Sequence, residues 1–289
     1  MKICLRFIIE GGQYKMAVSN LTKNRIHDYL KEGKRFDNRG LLDYRNLTIE
    51  NGISINAEGS ARVKLGKTEI LAGVKMNVSE PYTDHAGEGT LITTLELIPT
   101  ASPKFESGPP RIEAIEMARI VDRTVRESKY IDFEKLCIKK GEKVWSVMLD
   151  LFAMNDDGNL LDVACIAAVA ALKDARIPVF DEETGKVKFG EWTDKKLPLE
   201  KDIPLLFTFH KIGDSMILDP VVEEEESSDA RLSIGIIGGK INALQKGNSE
   251  SFDLDKVYEI LEESEKKYKE MSKKIEEQVD KSIKKSREK

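Results

Sequence analysis

No apolar run in this sequence approaches the roughly 20 residues that a membrane-spanning helix needs, so no membrane partner is expected. Cysteine is scarce. Cys4, Cys137 and Cys165 show neither metal spacing nor a pairing pattern, which argues against a disulfide framework and for incidental thiols in a reducing cytoplasm. The three histidines, His27, His85 and His210, lie in unrelated contexts; no metal motif forms, and each is expected at the surface or an interface. Gly-x-Ser-x-Gly, Walker and dinucleotide fingerprints are all missing. Cations are not in excess either: 46 Lys and Arg face 51 Asp and Glu, a net charge of −5. That excludes a protein coating nucleic acid non-specifically, though not a local basic patch. Neither an internal repeat nor a Pro-, Gly- or Ser-rich linker divides the chain.

What is present is a long, charge-rich, globular sequence. With 289 residues, 40% hydrophobic and 34% charged, it can bury a sizeable core. The opening "MKICLRFIIEGGQYK" has only a weak apolar stretch broken by Arg6 and no cleavage site, so it does not read as a signal peptide. Residues 1–19 read as an N-terminal extension ahead of a domain spanning 20–289. Met16 begins "MAVSNL" like a natural start, and residues 1–15 are expected to be an artefact of a start assigned too early, a leader that is not part of the protein.

"NLTKNRIHDYLKEG" predicts a helix capped by Asn20 or Thr22 and stopped by Gly33. Between 45 and 78, short strands punctuated by Gly52, Gly59 and Gly66 predict a meander. A polar loop (79–90) and the strand "LITTLELIP" follow. "GPPRIEAIEMARIVDRTVRES" predicts a helix with Pro110 in its first turn. "VWSVMLDLFAM" reads as a buried strand and "NLLDVACIAAVAALKDA" as a buried Ala-rich helix. A hairpin turning at Thr184-Gly185 and four further strands lead to a long helix from Asp253 to about Ser286. Leu254, Val257, Tyr258, Leu261, Tyr268, Ile275, Val279 and Ile283 form its apolar stripe, and beyond about Met271 it is expected to project or fray. The fold class is α+β, mixed sheets with packed helices in one domain.

Three stretches bear on chemistry. "MNDDGNLLD" runs from a strand into a helix, a place suited to hold phosphate. Asp156 and Asp157 would repel an anion, so a structural helix capped by these aspartates is favoured. "LDPVVEEEESSDARLSIG" carries Glu223 to Glu226 and Asp229, which could ligate Mg²⁺. A solvated acidic surface is the more ordinary reading, and Arg231 would compete with a cation for the carboxylates. On the helix at 110–128, Arg119, Arg123 and Arg126 make a stripe, with Ala114, Met117, Ala118, Val121 and Val125 on the opposite, buried side. Such a stripe can grip single-stranded nucleic acid through its phosphates. Arg119–Asp122, Asp122–Arg126 and Arg123–Glu127 are equally well spaced for ion pairs, and spacing alone does not separate the two.

"RFDNRGLLDYRNLTI", "GSARVKLGKTEILAGVK", "GPPRIEAIEMARIVDRTVRES", "GNLLDVACIAAVAALKDARIP" and "LDPVVEEEESSDARLSIG" together resemble the RNase PH-like proteins of the archaeal exosome, the non-catalytic ring subunit in particular. The resemblance spans residues 20–285. It implies an RNase PH-like fold in a ring of three heterodimers with a catalytic sister that degrades RNA 3′ to 5′ using phosphate. Cap proteins with RNA-binding domains would sit on one face. Where the sister carries Gly-Ser-Arg for phosphate, this chain keeps Gly158 but has Asn159 and Leu160. Glu225 retains a carboxylate of the acidic loop, while Arg231 occupies the position of its second aspartate. The resemblance therefore implies no catalytic residue, no metal and no cofactor here. It implies Arg119 and Arg123 as RNA-binding residues; Arg126 lacks that support and is expected to pair with Asp122. Arg111 departs from the acidic residue the resemblance leads one to expect.

Overall fold

The computed structural model describes residues 6–10 and 13–288. Cys4 and part of the segment read as a leader lie outside the described residues. Strands β1 (Arg6–Glu10) and β2 (Gln13–Ala17) pair antiparallel. Helix α1 (Asn20–Lys31) follows, and its cap is Ser19, whose hydroxyl accepts the Thr22 N–H at 3.1 Å. The expected caps, Asn20 and Thr22, lie inside the first turn. Thr22 is the residue being capped, as the spacing of an N-cap oxygen to the third helical N–H requires.

The expected meander is present as β3 (Leu47–Asn51), β4 (Gly59–Leu65) and β5 (Thr68–Ser79), antiparallel in sequence. β6 (Thr90–Leu97), β7 (Cys137–Lys139) and β8 (Lys143–Asn155) complete a sheet ordered β3-β4-β5-β8-β6, with β7 on β8. The β6–β8 pair is parallel, a pairing that demands a crossover; helix α2 (Ile112–Glu127) supplies it. Arg111 is its N-cap, with Ile115 N–H bonding the Arg111 carbonyl, so Pro110 precedes the first turn instead of lying in it.

Helix α3 (Leu160–Asp174) is buried at every position except Lys173. Small side chains let it lie between the first sheet and a second one, which explains its apolar character all round. A hairpin of β9 (Arg176–Asp181) and β10 (Lys186–Lys196) leads into the second sheet. That sheet is antiparallel, ordered β12-β11-β13-β14, from β11 (Leu205–Ile212), β12 (Ser215–Leu218), β13 (Ala230–Ile237) and β14 (Lys240–Gly247). Between β12 and β13 the acidic run forms a single turn, α4 (Val222–Glu225). Cys165 is buried, Cys137 half-buried, and both are free thiols.

The closing helix α5 (Leu254–Arg287) corrects two expectations. Its stripe is set by Ile260, Ser264, Tyr268, Met271, Ile275, Val279 and Ile283, all buried, whereas Leu254 and Tyr258 are 67% and 57% exposed. Nor does the end project. Gln278 donates to the Leu47 carbonyl at 3.2 Å, and Ser282 accepts the Asn51 N–H at 2.6 Å. Lysines and glutamates dominate the composition there, but the apolar residues still recur every fourth position and cover the edge strand β3. Covering an edge also protects it from pairing with another chain.

Candidate nucleic-acid interface and the cavity beside it

Helix α2 is amphipathic. Ala114, Ala118, Ile120, Val121, Thr124 and Val125 are buried, Met117 is half-buried, and Arg119 and Arg123 are exposed. Of the three ion pairs that the spacing allows, one forms. Arg126 Nη2 lies 2.9 Å from Asp122 Oδ1, and Arg126 Nε lies 3.1 Å from Asp122 Oδ2. The Asp122 bond raises the pKa of Arg126. Arg126 also donates to the Leu91 carbonyl at 2.8 Å, and Asp122 accepts from Thr93 at 3.1 Å. Arg111 pairs with Glu106. Among the described residues, Arg119 and Arg123 have no hydrogen bond or ion pair. Two unneutralised guanidiniums four residues apart share one face, a spacing suited to successive phosphates.

A cavity of about 490 Å³ opens beside α2, where the N-terminus of α3 meets α4. Lys104, Asp156, Asn159, His210, Glu225 and Arg231 all line it, so the two stretches read separately along the chain share one site. Gly158 makes the meeting possible: its φ is +86°, and a Cβ there would lie 2.4 Å from the Pro220 carbonyl oxygen, closer than any side chain permits.

Most charges in this corner are already committed. Glu225 Oε2 accepts the Asn159 N–H at 2.9 Å, at the turn into α3. Burial raises the Glu225 pKa, and neighbouring Asp156 adds to it. Glu224, 2% exposed, accepts from Arg35 Nε at 3.0 Å. Glu226 pairs with Lys104. Asp229 takes the Gly213 N–H at 2.8 Å and lies 3.4 Å from Lys23. The acidic run is thus not wholly a solvated surface: Glu224 and Glu225 are folded inward onto a cation and an amide, while Glu226 is exposed and Glu223 has no side-chain partner among the described residues. Arg231 does not compete for these glutamates, because its Nη2 donates to Glu116 of α2 at 2.7 Å. Asp156 and Asp157 do not cap α3. Asp156 holds the Gly158 N–H at 3.1 Å and Asp157 faces Arg45 at 3.3 Å, while the N-cap is Asn159, in left-handed conformation without a side-chain cap bond. No group of three or more His, Cys, Asp or Glu side chains among the described residues is arranged to hold a metal.

Behind the cavity lies a network that sequence reasoning missed. Asp219, fully buried, accepts from Arg39 Nη1 at 2.9 Å, from Arg45 Nε and Nη2 at 2.9 and 2.7 Å, and from Asn159 Nδ2 at 2.9 Å. Three arginines between 35 and 45, in a stretch with neither helical nor strand periodicity, were the available signal. Asp162 is also buried. Tyr44 donates to it at 3.0 Å, and burial lifts its carboxyl to about 7. His210 departs from the expectation of a surface or interface histidine: it is 1% exposed within this chain, on a strand covered on both faces. His210 Nδ1 shares a hydrogen bond with Ser228 Oγ at 3.1 Å, and the same hydroxyl lies 3.0 Å from the Ala230 carbonyl. Burial, reinforced by Arg231 and Arg35, lowers the histidine to about 3 and keeps it neutral.

A ligand phosphate at the α3 turn would meet the carboxylate of Glu225 and the apolar side chain of Leu160, with Lys104 and Arg231 already paired. The site can therefore position backbone and helix, and its free cations lie outside it, on α2.

The pattern of the 3′ exoribonuclease family, domain 1, matches residues 43–178, and that of domain 2 matches residues 202–267. These segments correspond to the two sheets. The chain is 44% identical over 245 residues to Exosome complex component Rrp42 of Methanothermobacter thermautotrophicus, covering 84% of this chain and 90% of that protein. It is 44% identical over 267 residues to Exosome complex component Rrp42 of Pyrococcus abyssi, covering 91% and 97%. A solved structure described as an Archaeoglobus fulgidus exosome with RNA bound to the active site superposes with a TM-score of 0.82 at 38% identity, covering 88% of this chain and 98% of that one. With both sheets and the helix between them matched, the chain belongs to the 3′ exoribonuclease family of RNase PH-like proteins.

Proposed function

We propose that this chain is a non-catalytic subunit of an archaeal-type RNA exosome ring. It scaffolds a catalytic RNase PH-like sister in a cytoplasmic ring of three heterodimers that carries cap proteins with RNA-binding domains. Arg119 and Arg123 contribute to holding single-stranded RNA during 3′-to-5′ phosphorolytic degradation. The observation that carries this reading is the contrast within α2: Arg126 is paired twice over, while Arg119 and Arg123 stay exposed and unpaired among the described residues. The relatives named as exosome components, and the related structure with RNA, support the assembly. The non-catalytic part is supported by Glu225, which supplies an internal anion where a phosphorolytic site would need to bind phosphate.

The test is degradation of a 5′-labelled single-stranded RNA with Mg²⁺ and phosphate, using the chain alone and assembled with its sister. Silence alone and activity together, weakened by Arg119→Ala with Arg123→Ala, is the expected result. Phosphate-dependent shortening by the chain alone would overturn the non-catalytic reading. Unchanged RNA affinity in the doubly substituted ring would favour a purely structural subunit.

A further inference from the structure

Arg119 stands free although two acids lie within helical reach. Glu116 is three residues before it and Asp122 three after, and both spacings bring side chains together on a helix. Each acid is claimed by a different arginine. Asp122 is held by Arg126 at 2.9 and 3.1 Å, and Glu116 by Arg231 Nη2 at 2.7 Å. Gln245 adds a weaker contact to the same Glu116 oxygen at 3.4 Å.

The path of Arg231 is built for this. It faces Gly247 across the β13–β14 ladder, and a Cβ on Gly247 would lie 2.7 Å from Arg231 Nε. The guanidinium thus lies over a bare Cα on its way to α2. Its side chain is only 17% exposed, so water screens the pair with Glu116 less than it would a surface pair.

We propose that Arg231 is a positioning residue for RNA: by sequestering Glu116 it keeps Arg119 free to meet a phosphate. This rests on the reading of Arg119 and Arg123 as RNA contacts. Removing Arg231 releases a carboxylate next to Arg119 on the same helix face. Glu116 then draws Arg119 into an i,i+3 pair and sets negative charge beside the RNA path.

Arg231→Met keeps the aliphatic stem and removes the charge, and Arg231→Met with Glu116→Gln removes the released acid as well. Both are compared with Arg119→Ala in the assembled ring, by affinity for single-stranded RNA over a range of salt. Arg231→Met is expected to weaken binding and to flatten the log–log salt dependence by about 0.7, the loss of one single-strand phosphate contact. Adding Glu116→Gln restores both. Weakening that persists with Glu116→Gln, or binding unchanged by Arg231→Met where Arg119→Ala weakens it, overturns the proposal. A second readout does not depend on RNA: side-chain NMR of the full chain, following the Arg119 Nε–H. Its protection from solvent exchange should rise in Arg231→Met and fall back in the double variant; no change overturns sequestration. If that protection rises while Arg119→Ala with Arg123→Ala leaves RNA affinity intact, sequestration stands and the RNA reading fails.

Discussion

The arginine face of α2 and the cavity at the start of α3 lie side by side, yet they treat charge in opposite ways. In and behind the cavity, acids and cations from distant segments neutralise one another: Arg35 with Glu224, Arg45 with Asp219, Lys104 with Glu226. On α2, the flanks are paired and the centre of the face is left open. Charges that satisfy one another contribute to the fold; charges held apart from partners remain available to a ligand. The comparison makes opposite demands of substitutions in the two regions, and these can be ranked.

The largest effect belongs to the network behind the cavity. Asp219→Ala strips Arg39, Arg45 and Asn159 of a shared acceptor. Removing one partner from a buried charged pair costs about 3–5 kcal/mol, and urea unfolding of the variant should show a loss of that order. A loss below about 1 kcal/mol would mean that the arginines find water or other acceptors, and the contrast with α2 would collapse.

A middle-sized effect concerns pH. Asp162 has its folded pKa raised from 3.8 to about 7, so between those values the folded state keeps a proton that the unfolded chain has lost. Its contribution is complete below 3.8 and falls away as pH rises. His210 is lowered from 6.5 to about 3, so in that interval the unfolded chain binds a proton that the folded state refuses. Its contribution is complete above 6.5 and is lost as pH falls. The two slopes oppose each other between about pH 4 and 6.5. Asp162→Asn should therefore make stability rise with pH relative to the parent, by up to about 1.4 kcal/mol per unit. His210→Asn should make it fall, and the double variant should track the parent. Denaturation curves at several pH values check this; parallel curves for parent and single variants would place these groups in contact with water.

Much of this architecture was legible in the chain. The buried Ala-rich helix, the meander and the crossover helix follow from local periodicity, and periodicity is what sequence displays directly. What stayed hidden depends on partners far along the chain. Glu224 reads as one of four surface glutamates until Arg35, 189 residues away, is folded against it. Spacing on α2 offered three ion pairs and could not choose among them, because the choice is made partly by Thr93 of β6, which shares Asp122. The phase of α5 at Leu254 and Tyr258 differs from its apolar spacing for the same reason. Only the position of β3 and the second sheet decides that Ile260 and Ser264 face inward.

The smallest effect on stability is the one that sharpens the comparison most. Arg119 and Arg123 make no described contact that folding would lose, so Arg119→Ala with Arg123→Ala should leave the unfolding free energy within about 0.5 kcal/mol of the parent, as for ordinary surface positions. If the proposed function holds, the same variant in the assembled ring loses two phosphate contacts, and the log–log salt dependence of single-stranded RNA binding should flatten by about 1.4. Arg126→Ala is the internal control, because its guanidinium is occupied by Asp122 and the Leu91 carbonyl. It should cost some stability and leave the salt dependence where it was. If the double variant instead unfolds several degrees lower with an unchanged salt slope, the exposed arginines belong to the fold after all. The open face of α2 would then be no different in kind from the filled cavity beside it.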